Sequence, residues 1–195
     1  MFALQLTPSQ VKKVAEGPVH QTFLRTEEIT GVPWQAIAAI FYRESFSVAT
    51  PKTPGGSFQF DPPPSKKIME ELLNEFTHLD QKAKDAIVSK GVNDFVSAAI
   101  LAACWLRHST KFVINTKSTD AEIKDALWAY NGRKYGSADK SPYVMSGYSD
   151  EHLNMVIKGT IPDANHPGLR IHIETVDRRP GAFVVYRQLK NLGSK

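Results

Sequence analysis

The side chain best suited to acid chemistry is Glu44, which closes the apolar segment "IAAIFYRESF" at residues 37–46. At about 100° per residue of helix, Glu44 points only about 20° away from Ile37, with Ile40 and Phe41 on either side. Glutamate is rarely buried unless it is paired or useful. Apolar surroundings disfavour the charged form of a carboxyl, so its pKa rises. A carboxyl that stays protonated near neutral pH can serve as a general acid.

A plainer interpretation of Glu44 is open at this point. The side chain turns to solvent at a frayed helix end, or it pairs with Arg25 or Arg43. Two other segments favour a chemical role. The proline- and glycine-rich loop after Glu44 contains "GGSFQFD" at residues 55–61, and "WAYNGRKYG" at residues 128–136 places a tyrosine and an asparagine at the end of a helix.

The motifs "RES", "GSFQ" and "AYN" occur in this order, and together they resemble the motifs of the goose-type lysozyme and soluble lytic transglycosylase superfamily. That family has a catalytic Glu followed by Ser at a helix end, then a Gly-x-x-Gln turn, then Ala-Tyr-Asn near the end of another helix. These motifs fall at residues 44–45, 56–59 and 129–131. The resemblance covers roughly residues 30–145, and the later "DRRPGAFVVY" looks similar to phage-encoded muramidases.

The resemblance implies a role for each matching residue. Glu44 would be the general acid on the glycosidic oxygen between N-acetylmuramic acid and N-acetylglucosamine. Ser45 would orient the sugar or the glutamate. Gln59 and the backbone near Gly56 would form hydrogen bonds with the sugars.

The third motif and its surroundings would complete the cleft. Tyr130 would hold the carboxyl or a sugar, and Asn131 would shape the same subsite. The sequence departs from the family at residues 57–58, where Leu-Met is more usual, so Phe58 would supply an apolar wall of altered shape. Tyr143, just inside a predicted helix start, either lines the cleft or packs at the surface.

Asp61 bears on the type of reaction. An inverting hydrolase needs a second carboxyl about 6.5–9.5 Å from the acid to activate water. Asp61 follows Gln59 by two residues, so period-two alternation puts both side chains on one side of a strand. Goose-type lysozymes carry an Asp at the same offset. The alternative is that Asp61 only forms a turn before "PPP". A lytic transglycosylase would need no such base, because the substrate's own hydroxyl attacks in place of water and gives a 1,6-anhydro product.

Helical signals dominate the rest of the chain. Capping boxes at Thr7/Gln10 and Thr119/Glu122 start helices, and the segment from 46 to 65 holds too many prolines for a helix. The predicted helices are residues 8–16, 18–30, 34–45, 66–80, 81–90, 93–112, 120–131 and 142–159, with a strand at 170–176. The pattern of residues 182–191 fits either a strand or a helix, and we favour the helix. The segment 93–112 is apolar nearly all round, which indicates a central helix.

We therefore expect a mainly α, lysozyme-like helical domain of the goose-type lysozyme and lytic transglycosylase kind, with a short β-hairpin or loop after the catalytic helix. Residues 1–195 would form one catalytic domain, whose motif-bearing core covers about residues 30–145. Residues 160–195 would pack on that core as an extension.

Composition narrows the partners. A net charge of +4 and a pI near 9.1 give a mild preference for anionic partners, without a basic run typical of a nucleic-acid arm. The single cysteine, Cys104, excludes an internal disulfide. The six histidines show no metal-ligand spacing, so we expect no metal and no cofactor. No apolar run is long enough to span a bilayer, and no secretory signal is visible.

The expected function is that of a phage-encoded muramidase that binds peptidoglycan glycan strands, with no nucleic-acid partner and no membrane insertion. We expect a monomer, made in the host cytoplasm, that acts on the cell wall in the periplasm or is associated with the virion. The alternatives are a lytic transglycosylase, a non-catalytic wall-binding or virion module, and a helical nucleic-acid binder, which only the charge suggests.

Overall fold

The computed structural model describes residues 5–45, 58, 60, 63–110, 113–145, 156–162, 170–176 and 180–194. This part of the chain is mainly helical, as expected. Its α-helices are α1 (Pro8–Glu16), α2 (His20–Thr30), α3 (Trp34–Ser45), α4 (Lys66–Asn74), α5 (Gln81–Lys90), α6 (Phe95–His108), α7 (Asp120–Tyr130), α8 (Pro142–Met145) and α9 (Ala182–Lys190). Short 3-10 turns cover Gly91–Asn93 and Asn191–Ser194, and the strands are β1 (Val156–Pro162) and β2 (Arg170–Val176).

Local sequence signals set several helix ends. Both predicted capping boxes form: Thr7 with Gln10 starts α1, and Thr119 with Glu122 starts α7. In each box the threonine side chain and the residue three positions later satisfy main-chain N–H groups that the first helical turn leaves free. Gly31 ends α2 with a φ of 71°, a left-handed conformation that glycine adopts without steric cost.

Two helices, α3 and α6, form the centre of the described structure. Every residue of α3 from Ala36 to Arg43 is buried, and α6 buries most of its length, as its all-round apolar pattern predicts. Helix α3 packs against α2, α6, α7 and α9, while α6 also contacts α4 and α5. The predicted central helix is therefore confirmed, with narrower bounds than residues 93–112.

A cluster of four aromatic rings, hereafter the phenylalanine cluster, joins three of these helices to the loop that follows α3. The rings of Phe23, Phe41 and Phe95 lie 5.3 to 6.0 Å apart between centroids. Phe58 adds its ring 5.8 Å from Phe41 and 6.1 Å from Phe95. Tilted and offset contacts at these distances are the favourable arrangements for aromatic pairs, so the cluster fixes the position of Phe58 relative to α3.

The C-terminal helix α9 is part of the core. It packs on α3 and buries Phe183, Val185 and Leu189. Gln188 joins the helix to the N-terminal segment, because its amide donates to the Leu6 carbonyl and its Oε1 accepts from the Leu6 N–H, both at 2.9 Å. The end of the chain thus contributes to the same hydrophobic interior as the helix that carries Glu44.

Three predictions near the C-terminus have different outcomes. The helix expected over residues 142–159 begins as predicted with α8 but is wrong at residues 156–159, which belong to β1; residues 146–155 lie outside the described residues. β1 pairs antiparallel with the correctly predicted β2, Val156 opposite Val176 and Pro162 opposite Arg170. β1 contains four β-branched residues, which favour strands, and a strand partner is available. Helix α9 confirms the prediction over 182–191. The hairpin expected after α3 lies outside the described residues.

Candidate active site

Glu44 lies in the last turn of α3, at the margin of the hydrophobic core. The N–H of Trp34 donates to a Glu27 carboxylate oxygen at 2.6 Å, which holds the start of the helix. Ile37, Ile40 and Phe41, the neighbours expected from helical phase, are completely buried, whereas Glu44 is half-buried. The apolar face is therefore as predicted, and the carboxyl lies where that face reaches solvent.

Ser45 is also half-buried. Its hydroxyl donates to the Phe41 carbonyl at 2.6 Å. A hydroxyl has one donor hydrogen, so the expected contact of Ser45 with a sugar would use its acceptor capacity. This bond closes the last turn of α3 next to Glu44.

Two stacked tyrosines face Glu44 from α7 and α8. The rings of Tyr130 and Tyr143 are 6.4 Å apart at an interplanar angle of 22°. Burial raises the pKa of both phenols well above the usual value, and the negative charge of Glu44 raises each further. Tyr143 is 7% exposed; Tyr130 is partly exposed as a residue, but its hydroxyl is surrounded by protein. Both phenols therefore stay neutral and can donate hydrogen bonds at physiological pH.

The Tyr143 hydroxyl interacts with Glu44 through a contact looser than a standard hydrogen bond. A side-chain hydrogen bond with Glu44 contributes to the raised pKa of Tyr143. The Tyr143 Oη atom nevertheless has no partner at standard hydrogen-bond geometry among the described residues. The phenol is thus placed to donate to the carboxylate after a small adjustment of either side chain.

Tyr130 joins the third motif to the second. Its hydroxyl donates to the main-chain carbonyl of Phe58 at 3.2 Å, across 72 positions of sequence. The Phe58 side chain is 1% exposed and packs in the phenylalanine cluster. The expectation that Phe58 forms an apolar wall for a sugar therefore disagrees with the structure, because the ring is covered by other rings. Its position indicates an anchor for the loop.

Of the remaining predicted site residues, the structure describes only Asn131. Gly56, Gln59 and Asp61 lie outside the described residues. Asn131 is the C-cap of α7 and is half-buried; its N–H donates to the Leu127 carbonyl at 3.4 Å. It lies next to Tyr130, as the motif requires.

A buried cation is the feature that sequence reasoning missed. Arg43 is 3% exposed, and its guanidinium carbon lies 5.4 Å from the centre of the Tyr143 ring. Its positive charge partly offsets the other influences on the pKa of Tyr143. Helical phase would have revealed this burial, because Arg43 points only about 20° away from Ala36 on a helix that is apolar at every position from Ala36 to Phe41. Glu44 thus has an apolar face, two neutral phenols and a cation around it.

Tyr143→Phe should change the pH dependence of stability. Because the pKa of Tyr143 is raised in the folded state, the unfolded chain loses this proton first, and stability falls as pH rises above about 10. We expect the wild-type free energy of unfolding to fall faster than that of Tyr143→Phe, by about 1.4 kcal/mol per pH unit. Urea denaturation between about pH 9 and 11.5 measures the slopes. Tyr135→Phe, at a 48% exposed tyrosine, should keep the wild-type slope; equal slopes for all three proteins would contradict the prediction.

Metal binding and membrane insertion would each need a particular arrangement of residues. Within the described ranges, no group of three or more His, Cys, Asp or Glu residues is arranged to hold a metal ion. No single helix there is long and apolar enough to cross a membrane. Residues 81–93 and α6 taken together have the length and the apolar composition of a membrane span, but the two segments meet at a bend of 101°.

Comparison of the chain with models of known protein families, with curated proteins and with solved structures gave no significant match.

Proposed function

We propose that this protein is a peptidoglycan-degrading glycosidase, a muramidase that cleaves the β-1,4 bond between N-acetylmuramic acid and N-acetylglucosamine. One observation carries the proposal: the three short motifs converge. Glu44 acts electrostatically on Tyr130, and the Tyr130 hydroxyl binds the backbone of Phe58. Accidental matches to short motifs would have no reason to meet in space.

The surroundings of Glu44 suit a general acid. Ile37, Ile40 and Phe41 are completely buried behind the half-buried carboxyl, and a hydrophobic setting of this kind is known for glycosidase acids. Once the proton passes to the glycosidic oxygen, the remaining carboxylate can accept a hydrogen bond from the neutral phenol of Tyr143, whereas the hydroxyl hydrogen of Tyr130 is donated to the Phe58 carbonyl. The charge of Arg43 also favours that carboxylate. Such pre-arranged groups stabilise charge where it develops, without reorganisation during the reaction.

The second step distinguishes two mechanisms. In our proposal Asp61 activates or positions a water molecule, which gives hydrolysis. In the alternative, a lytic transglycosylase, the substrate's own hydroxyl attacks and a 1,6-anhydro-muramic end forms. Gln59, Gly56 and Asn131 would bind the sugars in either case. No cofactor is part of the proposal.

The biological setting is likewise a proposal. The similarity of "DRRPGAFVVY" at residues 177–186 to phage muramidases supports a phage-encoded lysin for host lysis or wall penetration. The net charge of +4 suits an anionic wall.

Product analysis tests the function. Purified sacculi are incubated with the protein, and the soluble fragments are examined by mass spectrometry before and after borohydride reduction. We expect fragments with reducible N-acetylmuramic ends. Anhydro-muramic ends that resist reduction would identify a transglycosylase. If no soluble fragments form, the enzymatic proposal is wrong, and co-sedimentation with sacculi would then test a wall-binding module.

A further inference from the structure

A second concave site lies between α2, α5 and α6. It is a cavity of about 630 Å³, within the range of about 300–1,000 Å³ found for small-ligand pockets. None of Glu44, Tyr130 and Tyr143 lines it. The Glu44 mechanism proposed above therefore makes no use of this cavity.

The cavity has an apolar floor and a charged rim. Ile87 and Ile100 are buried at its base, and Ile29, Leu79 and Val96 are half-buried around them. Three charged residues stand exposed at the mouth, namely Arg25, Glu28 and Lys90. An apolar interior with a few polar groups at its edge is typical of a site that binds a ligand with a small apolar body and charged ends.

Two other polar residues of the lining have structural roles. His78 donates through Nε2 to the Ile29 carbonyl at 2.6 Å, since a carbonyl can only accept. Asp94 is the N-cap of α6: it accepts from the Ser97 N–H at 3.0 Å and hydroxyl at 2.9 Å, and the main-chain bond is the chief reason that its pKa is lowered. These bonds hold the walls in place, and both bonds to Asp94 use Oδ2, so its carboxylate remains a negative charge in the cavity wall.

The three rim residues, by contrast, are uncommitted. The side chains of Arg25, Glu28 and Lys90 form no hydrogen bond or ion pair with another residue in the described part of the chain. Lys90 is near enough to Asp94 for its charge to help lower the pKa of that carboxyl. The exposed rim thus offers two cations and one anion around an apolar floor, and the half-buried Asp94 adds a second anion beside Lys90.

We propose that this cavity binds a short peptide with two carboxylates, one ammonium group and small apolar side chains. Arg25 and Lys90 would bind the carboxylates, and Arg25 can do so with two parallel hydrogen bonds. Glu28 would bind the ammonium group, and the floor would cover methyl groups. The stem peptides of peptidoglycan have this composition, so the inference rests on the proposed function and names a second part of the same substrate.

Helix α6 joins the wall of the cavity to the phenylalanine cluster. Phe95 contacts Phe41 and Phe58 in that cluster, while its sequence neighbours Asp94 and Val96 line the cavity. A peptide held in the cavity would therefore lie against a helix that also packs on α3, the helix that carries Glu44. Such a contact would make the protein distinguish glycan strands that carry stem peptides from bare ones.

Titration with an isolated peptide tests the inference without any cleavage. The probe is N-acetyl-L-alanyl-γ-D-glutamyl-L-lysyl-D-alanine, which has two carboxylates and one ammonium group and no sugar. We expect saturable binding by calorimetry, weakened at least tenfold by Arg25→Gln and by Lys90→Gln. Lys82→Gln, at an exposed position of α5 outside the cavity, should bind as the wild type does.

A modified peptide examines the third contact. Glu28→Gln should weaken binding of the peptide with a free lysine amine, but not of the same peptide with that amine acetylated. No saturable binding at millimolar peptide, or binding that Arg25→Gln and Lys90→Gln leave unchanged, would overturn the inference. Cleavage of sacculi without peptide binding would remove this inference and keep the muramidase proposal. Peptide binding without cleavage would remove the muramidase proposal and keep the finding that the cavity binds this peptide.

Discussion

Glu44→Gln should slow the solubilisation of purified sacculi by about 10²–10⁴-fold, the usual range for loss of a general acid. Glutamine has nearly the same size and can accept a hydrogen bond from Tyr143, but it has no proton that it can transfer to the glycosidic oxygen. The initial rate of turbidity loss measures the effect. Binding of the variant to sacculi should persist, because the sugars are held by other residues.

The stability of the variant must be measured beside its activity. Glu44 lies near the buried cation Arg43, so loss of the negative charge can also lower the free energy of unfolding. Glu71→Gln makes the same chemical change on an exposed face of α4 and should keep full activity. If Glu44→Gln remains folded and lyses as fast as the wild type, the assignment of the acid is wrong.

A companion variant separates the two mechanisms. Asp61→Asn in a hydrolase should cost a comparable factor, because no other carboxyl is proposed to activate the water. In a transglycosylase the substrate supplies the nucleophile, and the variant should lose little. Together with the chemistry of the product ends, the pair of variants assigns both carboxyl groups.

Phe58→Ala should lower the free energy of unfolding by about 3–5 kcal/mol, the usual cost of removing a fully buried phenylalanine. The ring is 1% exposed and touches Phe41 and Phe95, so its loss leaves a cavity between α3, α6 and the loop. Chemical denaturation followed by circular dichroism gives the free energy. Val113→Ala, at a 62% exposed side chain, should change stability by no more than about 0.5 kcal/mol.

The same variant also decides between two roles for Phe58. A sugar-facing wall would keep the fold and weaken substrate binding when it is truncated. An anchor in the phenylalanine cluster would destabilise the fold and displace the carbonyl that receives the Tyr130 hydroxyl. A loss below about 1 kcal/mol together with a raised KM would show that the sequence-based expectation of an apolar wall was right after all.

Local patterns account for most of what could be predicted of the fold. The boxes at Thr7 and Thr119, and the apolar pattern of α6, depend on interactions within a few residues or on one helix, so the sequence shows them directly. The helix predicted over 142–159 is wrong at residues 156–159 because strand formation depends on a partner elsewhere in the chain. β1 exists as a strand opposite β2, and side-chain periodicity along one segment carries no information about such pairing.

For the candidate site, helical phase was enough to place Glu44 against Ile37, Ile40 and Phe41, a conclusion that follows from spacing along one helix. The association of Glu44 with Tyr130 came from the resemblance of the ordered motifs to a known family. Three-dimensional packing decided three others: Phe58 is an anchor, Arg43 is buried beside Tyr143, and α9 completes the core around α3. The physical reason is that burial and electrostatic environment are sums over neighbours that are distant in sequence, so they are defined only after the helices have packed.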